Sequence, residues 1–98
     1  MKRSSTLIGS RLAWCRLQRK QAATKDEVER FLAEEEGLLD AMLGRNRKDM
    51  YSHDRPSRRE SYETGLRDGQ ALMGLQRWND TRQLMANDGA TRATSLSA

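Results

Sequence analysis

The sequence predicts an all-α fold: two or three helices forming an extended helical hairpin or small bundle, with a polar connector and a flexible C-terminal tail. Three observations carry that expectation. Apolar residues recur every three or four positions in three separate segments. Thr24-Lys25-Asp26-Glu27 and Ser57-Arg58-Arg59-Glu60 both fit the capping-box pattern, in which a hydroxyl and a carboxylate each take a free amide at a helix start. Valine, isoleucine and threonine are sparse and never alternate with polar residues over a useful length, so no strand is expected.

The first helix is expected over about residues 5–21. Ile8, Leu12 and Cys15 fall on one face, spaced by four and three, and Leu7, Trp14 and Leu17 broaden it or make a second one. Arginines fill much of the remainder, and Gly9 weakens the helix near its start. The second helix, residues 25–43, carries the clearest signals. Asp26, Glu27 and Glu29 follow the capping box, where acids meet the positive end of the helix dipole. Val28, Phe31, Leu32, Leu38, Leu39, Met42 and Leu43 make an apolar stripe near period 3.6, and Gly44 is a natural stop, with Arg45 and Arg47 beyond it. Leu38 and Leu39 lie mid-stripe and are expected core residues. Glu34, Glu35 and Glu36 point in successive directions, so they read as a solvated face and not as converging catalytic carboxylates.

A polar, basic connector follows from Arg45 to Pro56, with Arg55 held out of helical geometry by the proline after it. The third helix is expected over about residues 58–85. Tyr62, Leu66, Gly69 and Met73 are spaced by four, three and four, and Leu72, Gln76 and Leu84 extend the stripe. Asn87-Asp88-Gly89 should end it, leaving residues 87–98 as a polar tail and residues 1–86 as one small domain.

Composition limits how much of this chain packs against itself. Of 98 residues, 36% are hydrophobic and 33% charged, against roughly 45–50% and 25% in typical domains. Much of the surface is therefore expected to be solvated or docked on a partner. Charge is segregated: residues 1–20 are purely basic, 26–40 mostly acidic and 45–59 mostly basic. That order invites a folded-back hairpin with complementary faces, although exposed pairs contribute only about 0–1 kcal/mol each.

No catalytic, cofactor-binding or metal-binding residue is expected, and the chain reads as non-enzymatic. Cys15 is the only cysteine, so it has no internal disulfide partner, and the only histidine, His53, lies far along the chain. Cys15 reads as a small buried apolar residue. Tyr51, His53 and Asp54 read as a solvated loop, since one histidine and one aspartate are too few ligands for zinc. The Gly65–Gly69 spacing has no strand before it and no Gly-Lys-Ser/Thr ending, so it is not a phosphate loop. No apolar stretch approaches the ~18 residues a membrane span needs. Residues 1–20 share the composition of a mitochondrial transit peptide, but are read here as an amphipathic basic helix of the protein itself.

The function expected is that of a structural or adaptor subunit of a larger protein assembly, homo- or hetero-oligomeric, inside the cell or within a virion. A small virion or tail component of a phage fits such a chain. Arg11, Trp14, Arg16 and Arg19 make the basic first helix the expected docking element, with Trp78 as a second aromatic anchor, because tryptophan and arginine dominate binding hot spots. Gly65 and Gly69 join the expected binding residues. Each glycine costs a helix close to ~1 kcal/mol, which a close helix crossing or a ligand must offset. Two alternatives stand beside this. The net charge of +4, with Arg45, Arg47, Lys48, Arg55, Arg58 and Arg59, suits a small basic nucleic-acid-binding accessory protein. An inhibitor docking on a host enzyme is the other.

Overall fold

The computed structural model describes the backbone of residues 6–97 and the side chains of residues 6–86. It contains three α-helices, α1 (Leu7–Gln21), α2 (Lys25–Leu43) and α3 (Pro56–Ser97), with a short 3-10 turn at Lys48–Tyr51 between the last two. There is no strand among the described residues. The fold is all-α: α2 and α3 form a hairpin, and α1 packs on both.

Local chemistry explains most helix ends. Thr6 caps α1, its hydroxyl accepting the Gly9 N–H at 3.0 Å. At α2 the Thr24 hydroxyl accepts the Glu27 N–H at 3.1 Å, and Glu27 accepts the Thr24 N–H at 3.3 Å, which is the reciprocal box the sequence predicts. Gly44 ends α2 with φ of 69°, a left-handed conformation that glycine adopts without a Cβ penalty. The Arg45 N–H then reaches back to the Asp40 carbonyl at 2.8 Å, satisfying a carbonyl that helix termination leaves without a partner. The start of α3 differs from expectation. Pro56 is its first residue, and among the described residues no hydrogen bond closes a box between Ser57 and Glu60. Proline suits the first turn, because its missing N–H has no acceptor there. Ser57 therefore lies inside the helix.

A 42-residue helix rising ~1.5 Å per residue spans about 63 Å, and the molecule's longest dimension is 64 Å. One helix thus sets the length of the protein. With only 15 and 19 residues, α1 and α2 cover α3 only as far as about Gln76, whose side-chain carbonyl accepts the Leu7 N–H at 2.9 Å. Residues 77–86 are all exposed. The backbone of α3 runs on through Asn87-Asp88-Gly89, where the sequence predicts its end, to Ser97; the side chains of residues 87–98 lie outside the described ones.

The face expected for α1 is the buried one: Ile8, Leu12 and Cys15 pack with Leu38 in one cluster. A second cluster joins Ala33, Tyr51, Tyr62 and Leu66. The apolar stripe expected to anchor α2 is only partly its core. Leu38 is fully buried, but Leu39 is half-buried and Leu32, Met42 and Leu43 are 39%, 44% and 62% exposed. Small residues occupy the contact instead. Ala33, Gly37 and Ala41 are spaced four apart on α2; Gly37 and Ala41 face Gly65 and Gly69 on α3, and Ala33 packs with Tyr62 and Leu66.

At this crossing the two backbones touch. A Cβ on Gly37 would fall on the Tyr62 carbonyl oxygen and 2.5 Å from the Leu66 amide nitrogen; one on Gly65 would meet the Glu34 carbonyl. At Gly69 it would lie 2.6 Å from the Ala41 methyl. Gly74, further along α3, faces open space. Opposite outcomes are therefore expected from the same substitution. Gly37→Ala or Gly65→Ala must push the helices apart and should cost about 1–3 kcal/mol or more. Gly74→Ala should instead stabilise by up to about 1 kcal/mol, from helix propensity alone. Thermal unfolding followed by circular dichroism checks this: the first two midpoints fall and the third does not.

Candidate functional site

Ion pairing determines how much of the basic composition is left at the surface. Arg11, one turn into α1, donates to Glu34 and, at 3.2 Å, to Asp68 Oδ2, joining all three helices. Arg19 meets Glu35 with two donors, Nε to Oε2 at 2.7 Å and Nη2 to Oε1 at 3.3 Å. Arg16 Nε lies 3.5 Å from the same carboxylate, although its side chain is half exposed. The Cys15 thiol donates to Glu34 at 3.5 Å. Burial first, and the Glu34 carboxylate next, push that thiol up to about 12, so it stays protonated and unreactive at neutral pH.

These contacts overturn one expectation and bear on a second. Glu34, Glu35 and Glu36 are not a solvated face. Glu35 is only 6% exposed, and Glu36 accepts the Tyr51 hydroxyl. The reason is that α2 has α1 on one side and α3 with the 3-10 turn on the other, so successive directions each find a donor. Arg11 and Arg19, expected to meet a partner, spend their donors on α2 and α3.

The most enclosed polar group is Asp40, which has no exposed surface. Its carboxylate accepts Arg47 Nε at 2.8 Å and Nη2 at 3.0 Å, Arg45 Nε at 3.2 Å and the Tyr62 hydroxyl at 2.6 Å. The Tyr62 oxygen in turn accepts the Arg47 N–H at 2.7 Å. Burial alone would raise the Asp40 pKa, but donation from Arg47, Tyr62 and Arg45 outweighs it and holds the carboxyl below its ordinary range. Tyr51 stacks on Tyr62, ring centroids 4.4 Å apart and planes 15° from parallel. The expected solvated loop is therefore half right: His53 is exposed, but Tyr51 is buried, because the 3-10 turn folds it back onto α3. Asp54 pairs with Arg58 at 3.3 Å, and Arg55 lies 3.5 Å from Glu29. The sequence did carry a signal for Asp40: one acid inside an apolar segment, with two arginines just past the glycine turn.

The remaining expected binding residues divide. Gly65 and Gly69 are buried in the helix crossing and present nothing to a partner. Trp14 is 46% exposed, packs its edge on Phe31 with centroids 5.9 Å apart, and carries the Arg11 guanidinium 4.9 Å from its ring. Trp78 is 58% exposed on the uncovered part of α3, together with Leu75, Leu84 and Met85 at 51%, 70% and 69%. Composition and spacing alone did not separate this patch from the core stripe of the same helix.

Two outcomes are expected from this geometry. Leu38→Ala should cost about 2–5 kcal/mol, with Leu39→Ala costing less and Glu35→Ala lowering the melting midpoint by stranding Arg19. Asp40 has a lower pKa folded than unfolded, so it adds stability above its unfolded pKa that is lost as pH falls through its folded pKa. Urea unfolding from neutral to acid pH should show Asp40→Asn less stable than the parent at neutral pH, with a flatter loss on the acid side.

Among the described residues no three His, Cys, Asp or Glu side chains group where they could hold a metal ion. No helix among them is long and apolar enough to cross a membrane. Compared with protein-family models, curated proteins and solved structures, the chain matches none.

Proposed function

We propose that this chain is a non-enzymatic structural or adaptor subunit of a larger protein assembly, docking through the projecting part of α3. The observation that carries this is the exposure of Leu75, Trp78, Leu84 and Met85 on a helix that continues past its cover. A helix without tertiary contacts gains little from propensity alone, and apolar side chains on it are stabilised only when something covers them. Tryptophan is enriched among the few side chains that carry most of a binding surface's energy. A virion or phage-tail component is one setting for such a subunit, and an inhibitor of a host enzyme would use the same arm.

Nucleic-acid binding is the second reading, favoured by the net charge of +4. Against it, Arg11, Arg19, Arg45, Arg47, Arg55 and Arg58 all have acidic partners within the chain. A phosphate backbone would have to compete for those donors.

A photo-crosslinking residue placed at Leu75 in the full-length chain, in its source cells, separates the readings. A discrete protein adduct is expected, lost when Trp78→Ser is added and absent when the probe sits at exposed Glu60. Adducts to nucleic acid, or no adduct from Leu75, would count against the adaptor reading. In the first case the purified chain should also bind DNA or RNA, with log affinity falling linearly against log salt.

A further inference from the structure

We propose that the projecting part of α3 docks on a second copy of this chain, the two arms lying antiparallel about a two-fold axis. This rests on the adaptor reading of the same arm and names its partner.

Spacing is the first support. Ala71, Leu75, Trp78, Arg82 and Met85 follow one another at intervals of four, three, four and three, the seam of a two-stranded coiled coil. All five are exposed, whereas Gly69 just before them and Leu72, Met73 and Gln76 among them are buried or half-buried toward α1 and α2. The seam therefore lies on the side of α3 turned away from α2, and its Ala71 end borders α1 at Leu7, Ser10 and Arg11.

Charge identifies the occupant. Gly74, Asn79, Thr81 and Ala86, which flank the seam, carry no charge. Flanking charges are what select a foreign helix and exclude a wrong one. Their absence gives a different charged helix nothing to recognise, and it lets identical copies meet without like-charge repulsion. Arg82 is the only charge within the seam. In a parallel pair it would face the same arginine of the second copy. In an antiparallel pair centred near residue 80, Leu75 meets Met85 of the second copy and Trp78 meets its Arg82. A guanidinium then lies on an indole at both ends of the two-fold. That pairing is favourable by cation–π attraction, and within one chain Arg82 already sits 5.9 Å from the Trp78 ring. Four layers make a short seam against the ~800 Å² per partner of a standard interface. The dimer should therefore dissociate on dilution.

Sedimentation equilibrium of the purified full-length chain, from micromolar to millimolar concentration, tests the proposal. The mass is expected to rise from 11.2 kDa toward twice that value. Arg82→Glu and Trp78→Asp should each weaken association about tenfold or more, with helix content unchanged. Orientation is read from disulfides. Thr81→Cys places thiols of the two copies side by side near an antiparallel axis, whereas Arg82→Cys does so only in a parallel pair. Cys15 is fully buried and need not be removed. Dimers from Thr81→Cys and not from Arg82→Cys are expected, and the reverse would overturn the antiparallel arrangement. Dimerisation indifferent to Trp78 and Arg82 would overturn the seam. A chain that stays monomeric while its Leu75 probe crosslinks a protein of another mass would overturn the second copy and leave the adaptor reading standing. A monomer with no protein adduct would overturn both.

Discussion

The close approach of α2 to α3 is the constraint on which the other contacts depend. With Gly37 against the Tyr62 carbonyl and Gly65 against that of Glu34, the two helices lie nearer than side chains normally allow. That proximity brings the Tyr62 hydroxyl onto Asp40 and its ring beneath Tyr51. It also shapes the seat of α1, since Ile8 reaches the space beside Gly69. Each glycine weakens its own helix by close to ~1 kcal/mol. Backbone contact and the packing it permits offset that cost, so the glycines make sense only as a pair of facing surfaces.

Within that frame, polar groups do work that a larger apolar core would do elsewhere. The apolar clusters are small, and arginine–carboxylate contacts link all three helices around them. A buried carboxylate such as Asp40 is stabilised only when its acceptor sites are filled, and here two arginines and a tyrosine fill them. Such a contact is directional. It fixes the connector after α2 in one arrangement and orients the start of α3, which apolar packing alone would leave looser. The same pairing changes the meaning of a basic composition: much of the charge is turned inward.

Helix lengths place the functional candidate. The two shorter helices run out near Gln76, and α3 continues. Below that point Gly37, Gly65, Gly69, Tyr51 and Tyr62 are committed to the chain's own core. Above it, leucine, tryptophan and methionine stand in solvent, and there is no other comparable projection among the described residues. In the adaptor role proposed above, binding on such an arm would cost little ordering of the rest of the chain.

What the sequence by itself determined was local. The Thr24–Glu27 box, the stop at Gly44 and the Ile8-Leu12-Cys15 face each depend on residues within a turn or two of one another, so helix existence and most boundaries could be read directly. Pro56 shows the limit of that reading even locally, because two start signals lay side by side and the proline took the first position. Which face of α2 would be buried was not local. The leucine stripe and the Ala33-Gly37-Ala41 row are both present in the sequence, and the choice fell to small residues because α3 offered Gly65 and Gly69 at matching intervals. The glutamates of α2 became buried partners for the same kind of reason: their environment belongs to α1 and to the 3-10 turn. Only the tertiary structure decided which arginines are spent internally and which tryptophan projects, because burial is a property of neighbours brought together across the chain and a residue's own spacing does not contain it.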